Sequence, residues 1–150
     1  MMVTRYLTLL TAAALALIAV VAPAEPPADY KVIANESVRA LDLSPDELRD
    51  VLLATRTSLD DGDHVKPVLL KSGGVQDDFV WRVTGKSAIA LENYYRSLVF
   101  TGKGTMPKML ASDAAMVAYV RVTKGAIGYV RASSATQGVK VLEVRTRARP

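Results

Sequence analysis

The sequence contains no cysteine, one histidine, one tryptophan and two phenylalanines among its 150 residues. Without cysteine it can form no disulfide, no thiolate metal site and no cysteine nucleophile. The single histidine, His64, excludes a metal site built from several histidines and leaves little material for a histidine-based catalytic triad. Nine glycines and seven prolines are too few for a low-complexity segment. The composition thus excludes several classes of enzyme and metalloprotein, and we expect no metal ion or cofactor.

The charge balance indicates no particular partner. Nineteen Lys and Arg against 15 Asp and Glu give a net charge of +4, an excess too small to indicate nucleic-acid binding by itself. Half of the residues are hydrophobic and 23% are charged, which is typical of a folded globular chain. A chain of 150 residues corresponds to one domain. We therefore expect one globular domain that has no nucleic-acid partner.

The N-terminal segment differs from the rest of the chain. Arg5 is followed by an apolar run from Tyr6 to Val21, and then by Ala22-Pro23-Ala24. A basic start, a short apolar run and a small-x-small end are typical of a secretory signal peptide. The alternative is an uncleaved membrane anchor, but the run is shorter than the roughly 20 residues that a spanning helix needs. The sequence predicts a cleavable signal peptide at 1–24 and a short leader at 25–30. The protein would be periplasmic or secreted, without stable membrane insertion after cleavage.

Residues 31–144 show alternating strand and helix patterns. The clearest helix start is Ser44-Pro45-Asp46-Glu47, which combines an N-cap serine, proline at the first helical position and a capping-box glutamate. We expect this helix to end near 54–57. The other predicted elements are strands at Lys31–Ala34, Val65–Leu70, Ala126–Val130 and Val139–Val144, and helices at Val75–Val83, Ala88–Phe100 and Asp113–Thr123. The pattern predicts an α/β fold with a sheet flanked by helices, followed by a basic tail at 145–150.

One loop has the composition of an anion site. Lys71-Ser72-Gly73-Gly74 follows a predicted strand and precedes a predicted helix, where unpaired N–H groups and the helix dipole favour an anion. Ser72 adds a hydroxyl donor and Lys71 adds a positive charge, while Gly73 and Gly74 let an anion approach the backbone. The alternative is an ordinary strand-to-helix connection. The acidic pair Asp77–Asp78 in the first turn of the helix would repel a bound anion.

Two other patterns fall short of known motifs. The Gly-Lys-Ser of a nucleotide-binding loop occurs in Thr84–Ser87, but Val80 stands where that loop needs glycine. Three aspartates within Asp60–Asp63 resemble half of a calcium loop, but Lys71 occupies the position of the closing glutamate. We interpret both segments as turns and His64 as a solvent-facing side chain. No nucleophile, base or carboxylate pair stands out, so we expect that the protein is not an enzyme.

Three longer stretches carry recognisable motifs: Leu43–Leu53, Tyr94–Gly104 and Ser112–Val130. The most specific piece is Gly125-Ala-Ile-Gly-Tyr-Val130. Together these stretches resemble the phosphate-type substrate-binding proteins of ABC transporters, above all the small single-lobe members of that superfamily. The resemblance spans about residues 31–144. It implies a periplasmic-binding-protein-like fold of type II, with a mixed sheet, that corresponds to one lobe of the two-lobed receptor.

The resemblance also implies a ligand site. In the full receptors a loop that follows a strand binds phosphate between the two lobes, and Lys71–Gly74 matches that loop by position. This chain departs from the family pattern because the Gly-Ser-Gly-Thr of the family is reduced to Ser72-Gly73-Gly74-Val75, and Lys71 stands near the usual arginine. Ala54 also replaces the glycine that follows the first helix.

Two functions from different classes remain open at this stage. The first is an exported solute-binding protein of the phosphate-transport type that binds phosphate or a related oxyanion weakly at Lys71–Gly74, alone or across a homodimer. The second is a periplasmic interaction module that keeps the fold without the ligand or the transport role and works with an envelope protein partner. Binding would be weak in the first case, because one lobe cannot enclose an anion on all sides.

Overall fold

The structure is a computed structural model that describes residues 30–71, 73 and 76–145. The predicted signal peptide at 1–24 and the leader up to residue 29 lie outside the described residues, as do Ser72, Gly74, Val75 and residues 146–150. Within the described ranges, no helix is both long enough and apolar enough to cross a membrane.

Strands and helices alternate along the described chain. In chain order the elements are β1 (Tyr30–Ala34), β2 (Asp42–Leu43), α1 (Pro45–Leu52), β3 (Lys66–Leu70), α2 (Gln76–Thr84), α3 (Ala88–Phe100), β4 (Lys108–Leu110), α4 (Asp113–Val122), β5 (Ala126–Arg131) and β6 (Lys140–Val144). All four predicted helices and all four predicted strands are confirmed, with ends that differ by a few residues. The sequence analysis missed β2 and β4, which are too short for a hydrophobic pattern to indicate.

The strands form one six-stranded mixed sheet in the order β2-β6-β1-β5-β3-β4. Strand β3 pairs in parallel with both β4 and β5, and β2 pairs in parallel with β6. Strand β1 runs antiparallel to both of its neighbours, β5 and β6. The sheet and its helices confirm the predicted α/β class with a mixed sheet.

Strand β5 is the centre of the core. Its residues from Ala126 to Val130 are all buried, as expected for a strand that is covered on both faces. On one face Gly128 lies under α4, where an added Cβ would come 2.5 Å from the Sδ of Met116. On the other face the ring of Tyr129 stacks on Phe79 of α2, with the ring centroids 4.5 Å apart. The helices therefore form two layers around β5.

Helix α1 begins as the sequence predicts. The Ser44 hydroxyl accepts a hydrogen bond from the N–H of Glu47 at 3.2 Å, and the Glu47 carboxylate accepts one from the N–H of Ser44 at 2.8 Å. At the other end, the hydroxyls of Tyr95 and Tyr94 in α3 donate to the carbonyl oxygens of Leu52 and Leu53 at 2.6 and 2.9 Å. Since the last carbonyls of a helix lack partners within it, these bonds fix α3 against the end of α1.

The connection into β5 depends on Gly125. This residue has a φ of +76°, and an added Cβ would lie 2.4 Å from the carbonyl oxygen of His64. The carbonyl oxygen of Gly125 accepts a hydrogen bond from the N–H of Lys66 at 2.8 Å. The left-handed backbone and the close approach together bring the starts of β3 and β5 side by side.

We predict that Gly125→Ala lowers the free energy of unfolding by about 3 kcal/mol or more, because it adds a backbone clash to left-handed strain. Gly62→Ala is a matched control: Gly62 has a φ of +84° and nothing within 4 Å of an added Cβ. It should cost only about 1 kcal/mol. Urea denaturation measures both values, and equal losses in the two variants would contradict the proposed crowding.

Helix α1 ends at Leu52, before the predicted end at 54–57, because the chain turns at Ala54. Ala54 is the only described residue other than glycine with a positive φ, at 52°. A left-handed conformation costs an L-residue roughly 1–2 kcal/mol, whereas glycine adopts it freely. This strain gives a conformational reason for the glycine that the sequence resemblance implies at this position.

We predict that Ala54→Gly raises the free energy of unfolding by about 0.5 kcal/mol, since the relief of strain exceeds the extra entropy of glycine in the unfolded chain. The control is Ala90→Gly, at an exposed position in α3, which should lower the free energy of unfolding by about 0.5–1 kcal/mol. Urea denaturation checks both changes. A loss of stability in Ala54→Gly would contradict the strain.

Candidate functional site

One edge of the sheet gathers the features of a binding site. The three parallel strands β3, β4 and β5 end there at Leu70, Leu110 and Arg131. Helices α2 and α4 begin at the same edge, at Gln76 and Asp113. Ligands of open α/β sheets bind outside the carboxyl ends of the strands, and helix N-termini favour anions.

An open cleft of about 720 Å³ lies at this edge. We call it the carboxyl-end cleft. Its polar lining comes from Gly73 and Gln76 on the α2 side, and from Ser112, Asp113, Arg131 and Ser134 on the α4 side. The cleft thus brings together one residue of the predicted anion loop and several residues that the sequence analysis did not assign to a site.

The predicted anion loop is bound by the first turn of α2. The N–H of Gly73 donates to both carboxylate oxygens of Asp77, at 3.1 Å each. The side-chain amide of Gln76 donates to the carbonyl oxygens of Lys71, at 3.0 Å, and of Gly73. A carboxylate of the protein therefore already occupies the backbone donor that an external anion would use.

The four predicted site residues differ in where they lie. Gly73 lines the carboxyl-end cleft. Lys71 is exposed and is absent from the cleft lining, and its N–H donates to the carbonyl oxygen of Leu110 at 2.8 Å as part of the sheet. Ser72 and Gly74 lie outside the described residues. The proposed contacts of Lys71, Ser72 and Gly74 with a ligand remain predictions.

The start of α4 forms the opposite wall of the cleft. The Ser112 hydroxyl caps the helix by accepting from the N–H of Ala115 at 3.1 Å. The Asp113 carboxylate accepts from the N–H of Arg131 at 3.1 Å and from the Ser134 hydroxyl at 2.6 Å. Within the described ranges, the N–H groups of Asp113 and Ala114 have no acceptor. The start of α4 therefore offers free backbone N–H donors. Before the start of α2, by contrast, the N–H of Gly73 already donates to Asp77.

Leu70, which lines the cleft, is hydrogen-bonded to a neutral buried side chain. The Tyr129 hydroxyl accepts a hydrogen bond from the N–H of Leu70 at 3.1 Å. Burial raises the pKa of Tyr129 to about 12, so the phenol carries its proton at neutral pH. The charged groups at this edge are the exposed Arg131 and Lys71 and the partly buried Asp77 and Asp113. Such a mixture can hold a small anion weakly.

Several other sequence motifs are placed elsewhere. Thr84–Ser87 is a turn, as predicted, in which the Ser87 hydroxyl caps α3 by accepting from the N–H of Ala90 at 3.1 Å. The Asp60–Asp63 segment is also a turn, fixed by a bond of 2.7 Å from the N–H of Arg39 to Asp63. This bond and the Arg39 charge lower the pKa of Asp63. In the described part of the chain, no group of three or more side chains could hold a metal ion.

Sequence reasoning missed Arg131, Asp113 and Ser134 as cleft residues. Ser112 was recognised as a helix cap, and Arg131 directly follows the most specific family motif, at the end of a predicted strand. The position of a charged residue immediately after a buried strand was therefore the available signal. The contact between Asp113 and Ser134 had no signal, because 21 residues separate them.

Comparisons with known proteins support the fold. The chain is similar to a protein described as a phosphate ABC transporter substrate-binding protein from Clostridium perfringens, solved with bound phosphate, at 17% identity and a TM-score of 0.61. This match covers 77% of the chain and 44% of that protein. An ABC-type phosphate transport receptor from Vibrio cholerae matches at 13% identity and a TM-score of 0.53, over 81% of the chain and 48% of that protein.

A third similar structure is PstS from Borrelia burgdorferi, at 9% identity and a TM-score of 0.54, over 81% of the chain and 49% of that protein. No protein-family model matches the sequence, and no curated protein sequence matches it either. The chain spans less than half the length of these structural relatives. Its fold is that of one lobe of the phosphate-type substrate-binding proteins, as the sequence resemblance implied.

Proposed function

We propose that this chain is an exported protein that resembles the substrate-binding proteins of phosphate ABC transporters. It would bind phosphate or a related oxyanion weakly in the carboxyl-end cleft. The observation that carries the proposal is the convergence of two helix N-termini with Arg131 at the carboxyl ends of three parallel strands. The free N–H groups of Asp113 and Ala114 and the hydroxyl of Ser112 supply the hydrogen bonds. Gly73 lies on the opposite wall, and the proposal includes ligand contacts from Lys71, Ser72 and Gly74 beside it.

The export step rests on the sequence of residues 1–24, whose composition matches a signal peptide. A periplasmic or secreted location follows from it. The similar proteins from Clostridium perfringens and Vibrio cholerae are described as phosphate transport components, and an oxyanion ligand for this chain agrees with those descriptions. These similar proteins are described as a substrate-binding protein and a transport receptor rather than as enzymes, so we propose no enzyme activity.

Two features make the proposed binding weak. The cleft is open to solvent, so an anion there keeps much of its water, and exposed ion pairs contribute little. Asp77 also places a negative charge at Gly73 and competes for its N–H. We expect a dissociation constant of about a millimolar at low ionic strength.

We predict saturable heat when phosphate is titrated into the protein by calorimetry at low ionic strength. Arg131→Gln should weaken binding by about three- to tenfold, because a charged hydrogen-bond donor is lost. The double variant Lys71→Ala, Ser72→Ala tests the predicted loop in the same way. Arg49→Gln, on α1 and outside the cleft lining, removes one positive charge as a matched control and should bind like the unchanged protein.

The absence of heat up to tens of millimolar phosphate, from a folded protein, would contradict phosphate as the ligand. Equal weakening in Arg131→Gln and Arg49→Gln would show a general charge effect rather than a site. Either result would leave the second function, described below, as the better explanation of the fold.

We predict that Asp77→Asn strengthens phosphate binding by about threefold or more, because it removes a like charge while an amide oxygen can still accept from Gly73. Asp78→Asn is the matched control, since Asp78 pairs with Arg82 at 3.4 Å and makes no bond to Gly73. The same calorimetric titration measures both. Weaker binding in Asp77→Asn would contradict the competing role of this carboxylate.

A second candidate function is an interaction module that keeps the fold without a ligand. It is favoured by the occupied donor at Gly73 and by the position of Lys71 outside the cleft lining. Large apolar side chains are also exposed, including Phe100 at 92% and Trp81 at 57%. The partner would be an envelope protein or a second copy of the chain. Sedimentation of the purified protein tests the second copy directly.

A further inference from the structure

A second cavity lies at the opposite edge of the sheet, at the amino ends of β3 and β4. It has a volume of about 360 Å³, within the range of about 300–1,000 Å³ that is typical of small-molecule sites. We call it the lysine cavity, because Lys66, Lys103 and Lys108 line it. Its other walls include Ala54, in the turn after α1, and Tyr119 from α4. It shares no residue with the carboxyl-end cleft.

The charge in this cavity is of one sign. Three lysines and no Asp or Glu line it. In the described part of the chain, none of the three lysines forms a salt bridge, whereas the neighbouring Arg56 pairs with both Glu47 and Asp60. Three lysines that line one cavity give it a positive potential, which an anion bound there would reduce.

The lysines do not serve to cap the nearby helix. Helix α1 ends beside the cavity, and cations often bind the free carbonyls of a helix C-terminus. Here the carbonyl oxygens of Leu52 and Leu53 accept hydrogen bonds from Tyr95 and Tyr94 instead. Among the described contacts, no side-chain hydrogen bond is formed by Lys66, Lys103 or Lys108 to protein groups. The three ammonium groups are therefore available to a ligand.

Much of the remaining lining is apolar or aromatic. Ala54, Met106 and Pro107 line the cavity together with the Tyr119 ring. The Lys108 ammonium lies 5.9 Å from the centroid of that ring. Inorganic phosphate would leave these surfaces wet, whereas an organic anion with a flat or apolar body would cover them and gain from their burial.

The backbone that carries Lys103 is fixed at its start. The N–H of Gly102 donates to the carbonyl oxygen of Val99 at 3.1 Å, and the N–H of Lys103 donates to that of Leu98 at 2.8 Å. With a φ of 68° at Gly102, this is the Schellman motif that ends a helix. The loop is closed at its other end by Pro107 and β4. A wall that is ordered before binding costs less entropy when a ligand arrives.

We propose that the lysine cavity is a second binding site, which takes a small organic anion with an aromatic or apolar body. The lysines hold the anionic head, a carboxylate or a phosphate monoester, and the Met106, Pro107 and Tyr119 surfaces hold the body. This site is independent of oxyanion binding at the carboxyl-end cleft.

The test is an NMR titration of the protein, produced from the full chain, with phenyl phosphate and benzoate as probes and inorganic phosphate and phenol as comparisons. Saturable shifts are expected at the N–H groups of Lys103 to Met106, Lys108 and Tyr119. Phenyl phosphate should bind more tightly than inorganic phosphate, which lacks the aromatic body, and more tightly than phenol, which lacks the charge. Benzoate binding alone would assign a carboxylate head, and phenyl phosphate binding alone a phosphate head.

Lys103→Gln and Lys108→Gln should each weaken binding of the organic anion by roughly two- to fivefold, as expected for exposed charges. Lys124→Gln removes an exposed lysine that does not line the cavity and should leave binding unchanged. Arg131→Gln should also leave it unchanged, which separates this site from the carboxyl-end cleft.

Three results would overturn the proposal. The first is the absence of saturable shifts at the cavity with every probe. The second is equal weakening by Lys103→Gln and Lys124→Gln, which would indicate general attraction to a positive surface. The third is binding of poly-glutamate at these lysines without binding of either small anion, which would assign the surface to an acidic protein partner.

Discussion

The close approach of α4 to β5 determines the rest of the structure. Gly128 allows it, because any side chain there would occupy the space of the buried Met116. The two ends of α4 are fixed as well. Asn35 donates to the carbonyl oxygens of Val120 and Arg121 at the C-terminal end, at 2.7 and 3.0 Å, and Asp113 accepts from Arg131 at the N-terminal end. The position of α4 on the central strand in turn places its N-terminus beside the end of β5, where the carboxyl-end cleft is.

This packing gives the two edges of the sheet different chemistry. At the carboxyl edge, the starts of α2 and α4 present backbone N–H donors. The carboxylates of Asp77 and Asp113 lie there too and accept hydrogen bonds from the N–H groups of Gly73 and Arg131, so their charge reduces the local positive potential. At the amino edge, tyrosine hydroxyls satisfy the end of α1, and three lysines face a cavity without a carboxylate. An anion is therefore favoured at the first edge by backbone groups and at the second by side-chain charge.

Much of the fold could be predicted because its signals are local. The cap of α1 at Ser44 and those of α3 and α4 at Ser87 and Ser112 lie within four residues of the groups they bind. The most specific motif, Gly125 to Val130, has a physical explanation that the sequence alone did not supply. Gly125 meets the His64 carbonyl and Gly128 meets Met116, and both contacts are between segments far apart in the chain.

The candidate site was harder to predict for the same reason. Local composition alone points to the loop at Lys71–Gly74. The Asp77 carboxylate, which is expected to repel an anion there, accepts a hydrogen bond from the N–H of Gly73. The positions of Arg131 and Ser134 at the cleft depend on contacts between distant segments. These contacts are the pairing of β5 in the sheet and the hydrogen bonds that both residues donate to Asp113. The lysine cavity joins residues from β3, β4 and the segment before β4, and β4 was too short for the hydrophobic pattern to indicate.

The central claim is that the carboxyl-end cleft is where this lobe holds an oxyanion. The most direct measurement is an amide NMR titration with inorganic phosphate at low ionic strength, because it locates binding as well as detecting it. The account predicts saturable shifts at the N–H groups of Asp113, Ala114, Arg131 and Gly73. Shifts confined to the lysine cavity, or no saturable shift up to tens of millimolar phosphate, would contradict it.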